Sequence, residues 1–153
     1  LCLLVAAVFM RSLRFAIVAI IPILLVVVWL YGLMYLFGFP LNAVTATIGA
    51  ISIGVGIDFA THFTMRYREE LRVVGTRIEA VQRTGAGTGA ALVASAFSSM
   101  AAFAVMSLAP MPMFATYGLL TAIMIALAAA ASLIVLPALL VIITRDRERL
   151  AEA

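Results

Sequence analysis

Two titratable side chains, Asp58 and His62, lie four residues apart in the stretch IGVGIDFATHFTMRYREE. In an α-helix this spacing places both side chains on one face, one turn apart. Asp58 stands among apolar and small residues, whereas the other acids of the chain lie in arginine-rich segments. A carboxyl group in dry surroundings resists ionisation, and histidine is the side chain that titrates near neutrality. The pair therefore predicts a proton relay in which Asp58 takes up and releases the proton.

Small residues surround this pair at helical spacing. One row of residues recurs every four positions and a second row runs beside it: Ala46, Ala50, Gly54, Asp58 and His62, then Ser52, Gly56 and Ala60. Because small residues let a second backbone come close, Asp58 is predicted to face a packed helix interface. Gly54 and Gly56 are predicted to support that packing, and Thr61 to add a polar group beside the relay. Two alternatives stay open: Asp58 as a structural hydrogen-bonding residue, and His62 as a packing residue.

A partner for this helix is proposed in the segment GAGTGAALVASAFSSMAAFAVMSL. Gly85 and Gly89 stand in the G-x-x-x-G relation that permits close crossing. Counting helical rise from the flanking arginines puts Ser95 about one turn beyond the depth of Asp58. Ser95, Ser98 and Ser99 are therefore supporting polar candidates, with the alternative that they bond to carbonyls of their own helix.

The composition places these helices in a membrane. Hydrophobic residues make up 66% of the 153 residues and charged residues 11%, whereas soluble domains average about 45–50% and about 25%. Four apolar runs, residues 15–37, 41–64, 85–108 and 114–143, are each long enough to cross a hydrocarbon core of about 30 Å. Residues 1–10 are interpreted as the end of a truncated span, and the chain as a fragment. The predicted fold class is all-α, a polytopic transmembrane helical bundle with four full spans plus part of one more.

Charge fixes the expected orientation of the bundle. All arginines lie at one end of the spans, whereas the turns FGFPLN and SLAPMPMF at the other end carry no charge. By the positive-inside rule the arginine end is cytoplasmic, in a cytoplasmic (inner) membrane. Residues 65–83 carry one apolar row within an otherwise charged segment: Tyr67, Leu71, Val74, Ile78 and Val81. This pattern predicts a cytoplasmic amphipathic helix, either interfacial on the leaflet or a solvated linker.

Other function classes find no support in the residues. Neither GVGID nor GAGTG completes a dinucleotide fingerprint, and no G-K-[ST] is present. No nucleophile with an adjacent base and no clustered Cys and His occur, so neither an enzyme nor a metal site is predicted, and the lone Cys2 leaves the redox compartment open. Glu69, Glu70 and Glu79 interleave the arginines, which disfavours nucleic-acid binding.

The order of these motifs resembles a known family. The run NAVTATIGAISIGVGIDFATHFTMRYREE, the basic helix, the segment RTGAGTGAALVASAFSSMAAFAVMSLAPMPMFATYGLL and the late LIVLPALL resemble the membrane portion of the resistance-nodulation-division (RND) superfamily, particularly its MMPL and Patched-like exporters. The resemblance covers nearly the whole chain. It implies half of a transporter, with six transmembrane helices and a large extracytoplasmic domain between the first two. Asp58 matches the proton-carrying acid of such proteins, although Phe59 stands where members often have Tyr.

The function expected from the resemblance is export of hydrophobic or lipid-like substrates, driven by the proton gradient and needing no cofactor. The expected partners are the lipid bilayer, the hydrophobic small molecule or lipid, a second transporter half, the extracytoplasmic domain and further copies in an oligomer. The alternative is a sterol- or lipid-sensing module, or a Sec-accessory membrane subunit, on the same scaffold.

Overall fold

The computed structural model describes residues 13–144 of the chain, and these residues form helices joined by short turns. Six α-helices and two π-helical turns follow one another: α1 Leu13–Leu36, α2 Ala43–Val74, α3 Arg77–Thr84, the first π turn Gly85–Gly89, α4 Ala90–Met106, α5 Pro112–Ala130, the second π turn Ala131–Val135, and α6 Leu136–Ile143. These elements join into longer continuous helices, and four of the continuous helices are long and apolar enough to cross a membrane. The predicted all-α bundle of four spans is confirmed, whereas the span end proposed at residues 1–10 lies outside the described residues.

Local sequence sets the ends of the helix that carries Asp58. At the start of α2, the Asn42 side chain accepts a hydrogen bond from the Thr45 backbone N–H at 2.9 Å, and the Thr45 hydroxyl accepts one from the Asn42 N–H at 2.9 Å. This reciprocal capping box satisfies two N–H groups that the first turn leaves without partners. At the other end Gly75 adopts φ 80° and closes the helix by donating to the Leu71 carbonyl. A left-handed cap of this kind favours glycine, because glycine has no Cβ to clash.

The cap at Gly75 changes the predicted organisation of the arginine end. Residues 65–83 were predicted as one amphipathic helix, but α2 runs through to Val74 and α3 continues through the first π turn into α4. Tyr67 is fully buried in the core, whereas Ile78 is exposed. The apolar row is therefore divided between α2 and α3 by the turn at Gly75. Leu71 in the first part and Val81 in the second part both pack against the core.

The core lies between α1, α2, α5 and α6. Its largest fully buried side chains are Tyr67, Phe63, Leu30, Met34, Ile48, Leu120, Met124, Leu136 and Leu140. At the arginine end, the Tyr67 hydroxyl hydrogen-bonds the Thr144 hydroxyl at 2.5 Å, and the Arg77 guanidinium donates to the Val141 carbonyl at 3.2 Å. A cation at the last carbonyls of a helix is favourable, because those carbonyls lack intrahelical partners. Both contacts tie the end of α6 to α2 and α3.

The helices α4 and α5 pack closely against each other at Gly118. A Cβ added at Gly118 of α5 would lie 2.6 Å from the Phe103 carbonyl oxygen and 2.8 Å from the Ser107 backbone nitrogen, both on the α4 side of the turn. The rings of Phe103 and Tyr117 meet edge to face beside this point, with centroids 6.4 Å apart. Glycine at position 118 thus allows α4 to pack directly on α5.

Candidate functional site

An open cleft of about 410 Å³ lies at the side of the bundle between α2 and the rod formed by the first π turn and α4. The helix α2 contributes Asp58, Phe59 and His62, and the opposite wall contributes Thr88, Ala91, Leu92 and Ser95. Asp58 is eight residues from Arg66, which corresponds to about 12 Å along the helix. The cleft therefore brings polar groups from two helices together at a depth well inside the spans.

The acid in this cleft has no protein partner among residues 13–144. Asp58 and His62 are exposed to the cleft, and neither makes a hydrogen bond or ion pair within that range. The nearest arginine along α2, Arg66, is already engaged: it contacts Glu69 at 3.2 Å and Glu70 at 2.7 Å. The described part of the chain therefore leaves the carboxyl group of Asp58 open to water, a proton or a group from outside this range.

The prediction that Asp58 faces a packed interface is wrong within the described residues. Of the two small-residue rows on α2, only the second is buried, with Gly56 so close to Ile23 of α1 that an added Cβ would meet its side chain at 3.1 Å. The first row is exposed along its whole length: Ala46, Ala50, Gly54, Asp58 and His62. The row that carries the acid is thus the one that the described helices leave uncovered.

The position of α4 explains why this face stays open. Gly85 has no atom near the place of a Cβ, and at Gly89 the nearest atom belongs to Leu133 rather than to α2. The predicted close crossing of the G-x-x-x-G face with the Asp58 helix is therefore absent. The helix α4 packs on α5 at Gly118 instead. It approaches α2 mainly through the first π turn, so the two helices diverge from there and leave the cleft between them.

Comparison with known proteins assigns the chain to a family. The sequence profile of the MMPL family matches residues 1–152. The chain belongs to the MMPL family. A protein of Methanocaldococcus jannaschii, named only as a membrane protein, is 34% identical over 140 residues, which cover 92% of this chain and 36% of the relative. The chain thus spans about a third of that relative's length. No solved structure matches this chain.

Membership in the MMPL family confirms the resemblance found in the sequence. Together with four helices of spanning length, it makes this chain part of a multi-pass membrane protein. The MMPL family is a transporter family.

Only some of the site residues predicted from the sequence of this MMPL chain lie together in the cleft. Asp58, His62 and Ser95 line one cleft, with Ser95 on the opposite wall. Ser98 is exposed and Ser99 half-buried, and neither lines the cleft. Thr61 is half-buried outside the cleft, Gly54 is exposed beside it, and Gly56 packs away from it against α1. The supporting residues thus divide between two faces of α2 and two faces of α4.

Sequence reasoning missed Thr88, which lines the cleft opposite His62. The signal was the cluster GAGTG at residues 85–89, where three glycines weaken an ordinary α-helix. In this MMPL chain the cluster forms the first π turn. Such wide turns are rare and occur frequently at functional sites, so a glycine-rich break within an apolar helix indicates where to look for one.

Proposed function

We propose that this chain is the membrane portion of an exporter that uses the proton gradient to move hydrophobic or lipid-like molecules, with Asp58 as the proton carrier. One observation carries the proposal: Asp58 lies at span depth in a cleft with His62, Thr88 and Ser95, and has no partner among residues 13–144. An ionisable residue inside a transmembrane helix usually belongs to an ion or proton path. A carboxyl group that changes charge in such a place is a switch that a gradient can drive.

The chemistry of the switch is a single protonation. An ionised Asp costs roughly 2.5–3.5 kcal/mol in the middle of a membrane helix on insertion scales. Binding a proton removes that cost, so the neutral and charged forms of Asp58 favour different surroundings. The helix α2 would then shift against its neighbours when the proton binds and return when the proton leaves. The proton gradient supplies the energy, and no cofactor is needed.

The open face of α2 also defines what the exporter needs beyond this chain. We propose that the exposed row holding Asp58 is covered by a second transporter half in the complete protein, since a charged residue is not stable against lipid. The arginine end lies in the cytoplasm, because short arginine-rich loops remain on that side of the inner membrane. An extracytoplasmic domain outside this chain selects the substrate, and several copies assemble in the bilayer.

The proposal is tested with the full-length protein in lipid vesicles that contain a trapped pH-sensitive dye and a fluorescent phospholipid analogue. An imposed pH gradient is expected to drive both proton flux and export of the analogue. A protonophore, which collapses the gradient, is expected to stop export without reducing binding of the analogue. If the analogue binds but no proton flux occurs under any gradient, the protein is a lipid sensor on the same scaffold and the proposal is refuted.

Replacing the histidine of the cleft tests the second group of the relay. We expect His62→Ala to move the pH optimum of proton flux, because the variant lacks an imidazole that can pass a proton to or from Asp58. His62→Gln keeps a polar side chain that does not titrate, so it should behave like His62→Ala. The measurement is the initial rate of proton flux in the same vesicles at a series of pH values. An unchanged profile in both variants would assign His62 to packing alone.

A further inference from the structure

Thr88 occupies a special position in the wall opposite Asp58. It is the one residue of the first π turn that is neither glycine nor alanine. A π turn contains one residue more than an α-helical turn, and so changes which side chains face a given direction beyond it. In the cleft wall formed by the first π turn and α4, the π turn is the part that contacts α2, after α3 has packed on the same helix. The first π turn therefore places a hydroxyl group in the cleft at the point where its two walls come together.

A neighbouring threonine shows what this hydroxyl would do in an ordinary helix. Thr84, one turn earlier, is fully buried and donates to the Ala80 carbonyl at 2.7 Å. This bond to the preceding turn is the usual arrangement for a threonine inside a helix. The Thr88 hydroxyl makes no such bond to any group in residues 13–144, and it lines the cleft. Its donor and acceptor sites remain available to whatever occupies the cleft.

The depth of Thr88 matches that of the histidine. Thr88 is five residues from Arg83, and His62 is four residues from Arg66, so both lie about 6–8 Å along their rods from the arginine end. Asp58 lies one helical turn deeper on α2. Thr88 and His62 therefore flank the arginine-end mouth of the cleft, on the route that a proton follows between Asp58 and that side.

We propose that Thr88 is a positioning residue for proton exchange at Asp58: its hydroxyl anchors the water that links the Asp58 carboxyl group to His62. A bridging water needs room and two to four polar partners. The cleft has a volume of about 410 Å³ and offers four polar side chains. Its titratable groups are Asp58 and His62, both on α2, whereas the opposite wall adds only the hydroxyls of Thr88 and Ser95. The inference rests on the proton-carrying role proposed above.

Infrared difference spectroscopy of the full-length protein in lipid tests this role. The band of the protonated Asp58 carboxyl group appears on acidification, and it is assigned by its disappearance in Asp58→Asn. Thr88→Val keeps the shape of the side chain but removes the hydroxyl. We expect this variant to move the band to higher frequency and to slow proton flux about three- to tenfold, as the loss of one neutral hydrogen bond would. Thr88→Ser is expected to restore both.

Controls separate the failure of this inference from failure of the proposed function. Thr116→Val makes the same chemical change on α5, in a separate small cleft that is lined by Pro40 and Pro112. This variant should leave the Asp58 carboxyl band and the proton flux unchanged. If Thr88→Val does not accumulate in the membrane, Thr88→Ala replaces it. An Asp58 band that is identical in wild type and Thr88→Val overturns the role of Thr88. The absence of any such band in the wild type overturns the proposed function itself.

Discussion

Asp58→Asn is expected to abolish proton-coupled export while leaving the protein inserted and folded. The amide has nearly the shape of the acid but takes up and releases no proton in the physiological range, so the charge change proposed to drive α2 is lost. Asp58 makes no hydrogen bond or ion pair to any group in residues 13–144 that the amide would disrupt. In vesicles containing the full-length protein, proton flux and export of the phospholipid analogue should fall to the background of protein-free vesicles.

The matched control for this variant is Glu69→Gln on the same helix. Glu69 undergoes the same chemical change, but its side chain is 61% exposed and pairs with Arg66 at the arginine end. Exposed ion pairs of this kind contribute about 0–1 kcal/mol, so flux and protein amount should remain near the wild-type values. Export at the wild-type rate in Asp58→Asn would contradict the assignment of the proton carrier. Loss of the protein from the membrane would instead give Asp58 a structural role.

Gly118→Ala is expected to be the most destabilising small substitution in the bundle. Helix propensity alone favours alanine over glycine by about 1 kcal/mol. Against this gain, the new Cβ would lie 2.6 Å from the Phe103 carbonyl oxygen and 2.8 Å from the Ser107 nitrogen. These are backbone atoms, so neither can move away as the tip of a side chain can. We expect α4 and α5 to separate, with a net loss of about 3 kcal/mol, the upper part of the range for overpacked cores.

Thermal unfolding of the full-length protein in detergent measures this effect. Gly32→Ala provides the control, because Gly32 also lies within a spanning helix and no atom lies within 4 Å of the place of its Cβ. The control should unfold at or slightly above the wild-type temperature, since only the propensity gain remains. Gly118→Ala should also alter the cleft, because α4 forms one of its walls. A Gly118→Ala protein as stable as the control would mean that the two helices do not cross this closely.

The sequence was sufficient for the parts of the fold that depend on composition and local signals. The lengths of the apolar runs predicted the four spans, since a membrane permits few other structures for them. The proline-containing turns marked where the spans begin and end. Residue spacing also predicted that Asp58 and His62 share a face, because helical geometry follows directly from chain position.

The errors concern contacts between helices, which depend on residues far apart in the chain. Two small-residue rows on α2 were equivalent as patterns, and only packing decided that the row with Gly56 is buried while the row with Asp58 is open. Similarly, the glycines at 85 and 89 were predicted to form the close crossing that Gly118 forms instead. The break at Gly75 was missed because an apolar row continues across it, and row periodicity carries no information about chain reversal.

The unbroken length of α2 has a mechanical consequence. Tyr67 follows Asp58 by nine residues, which is about two and a half helical turns, so the two side chains point in opposite directions from one rigid rod. If α2 moved as a rigid helix toward the opposite wall of the cleft, Tyr67 would therefore move away from Thr144, its hydrogen-bond partner at 2.5 Å. One neutral hydrogen bond contributes about 1 kcal/mol net, which is small enough to break and re-form during the proposed transport cycle. Because a hydrogen bond is directional, re-forming the contact between Tyr67 and Thr144 would favour the return of α2 to its original position.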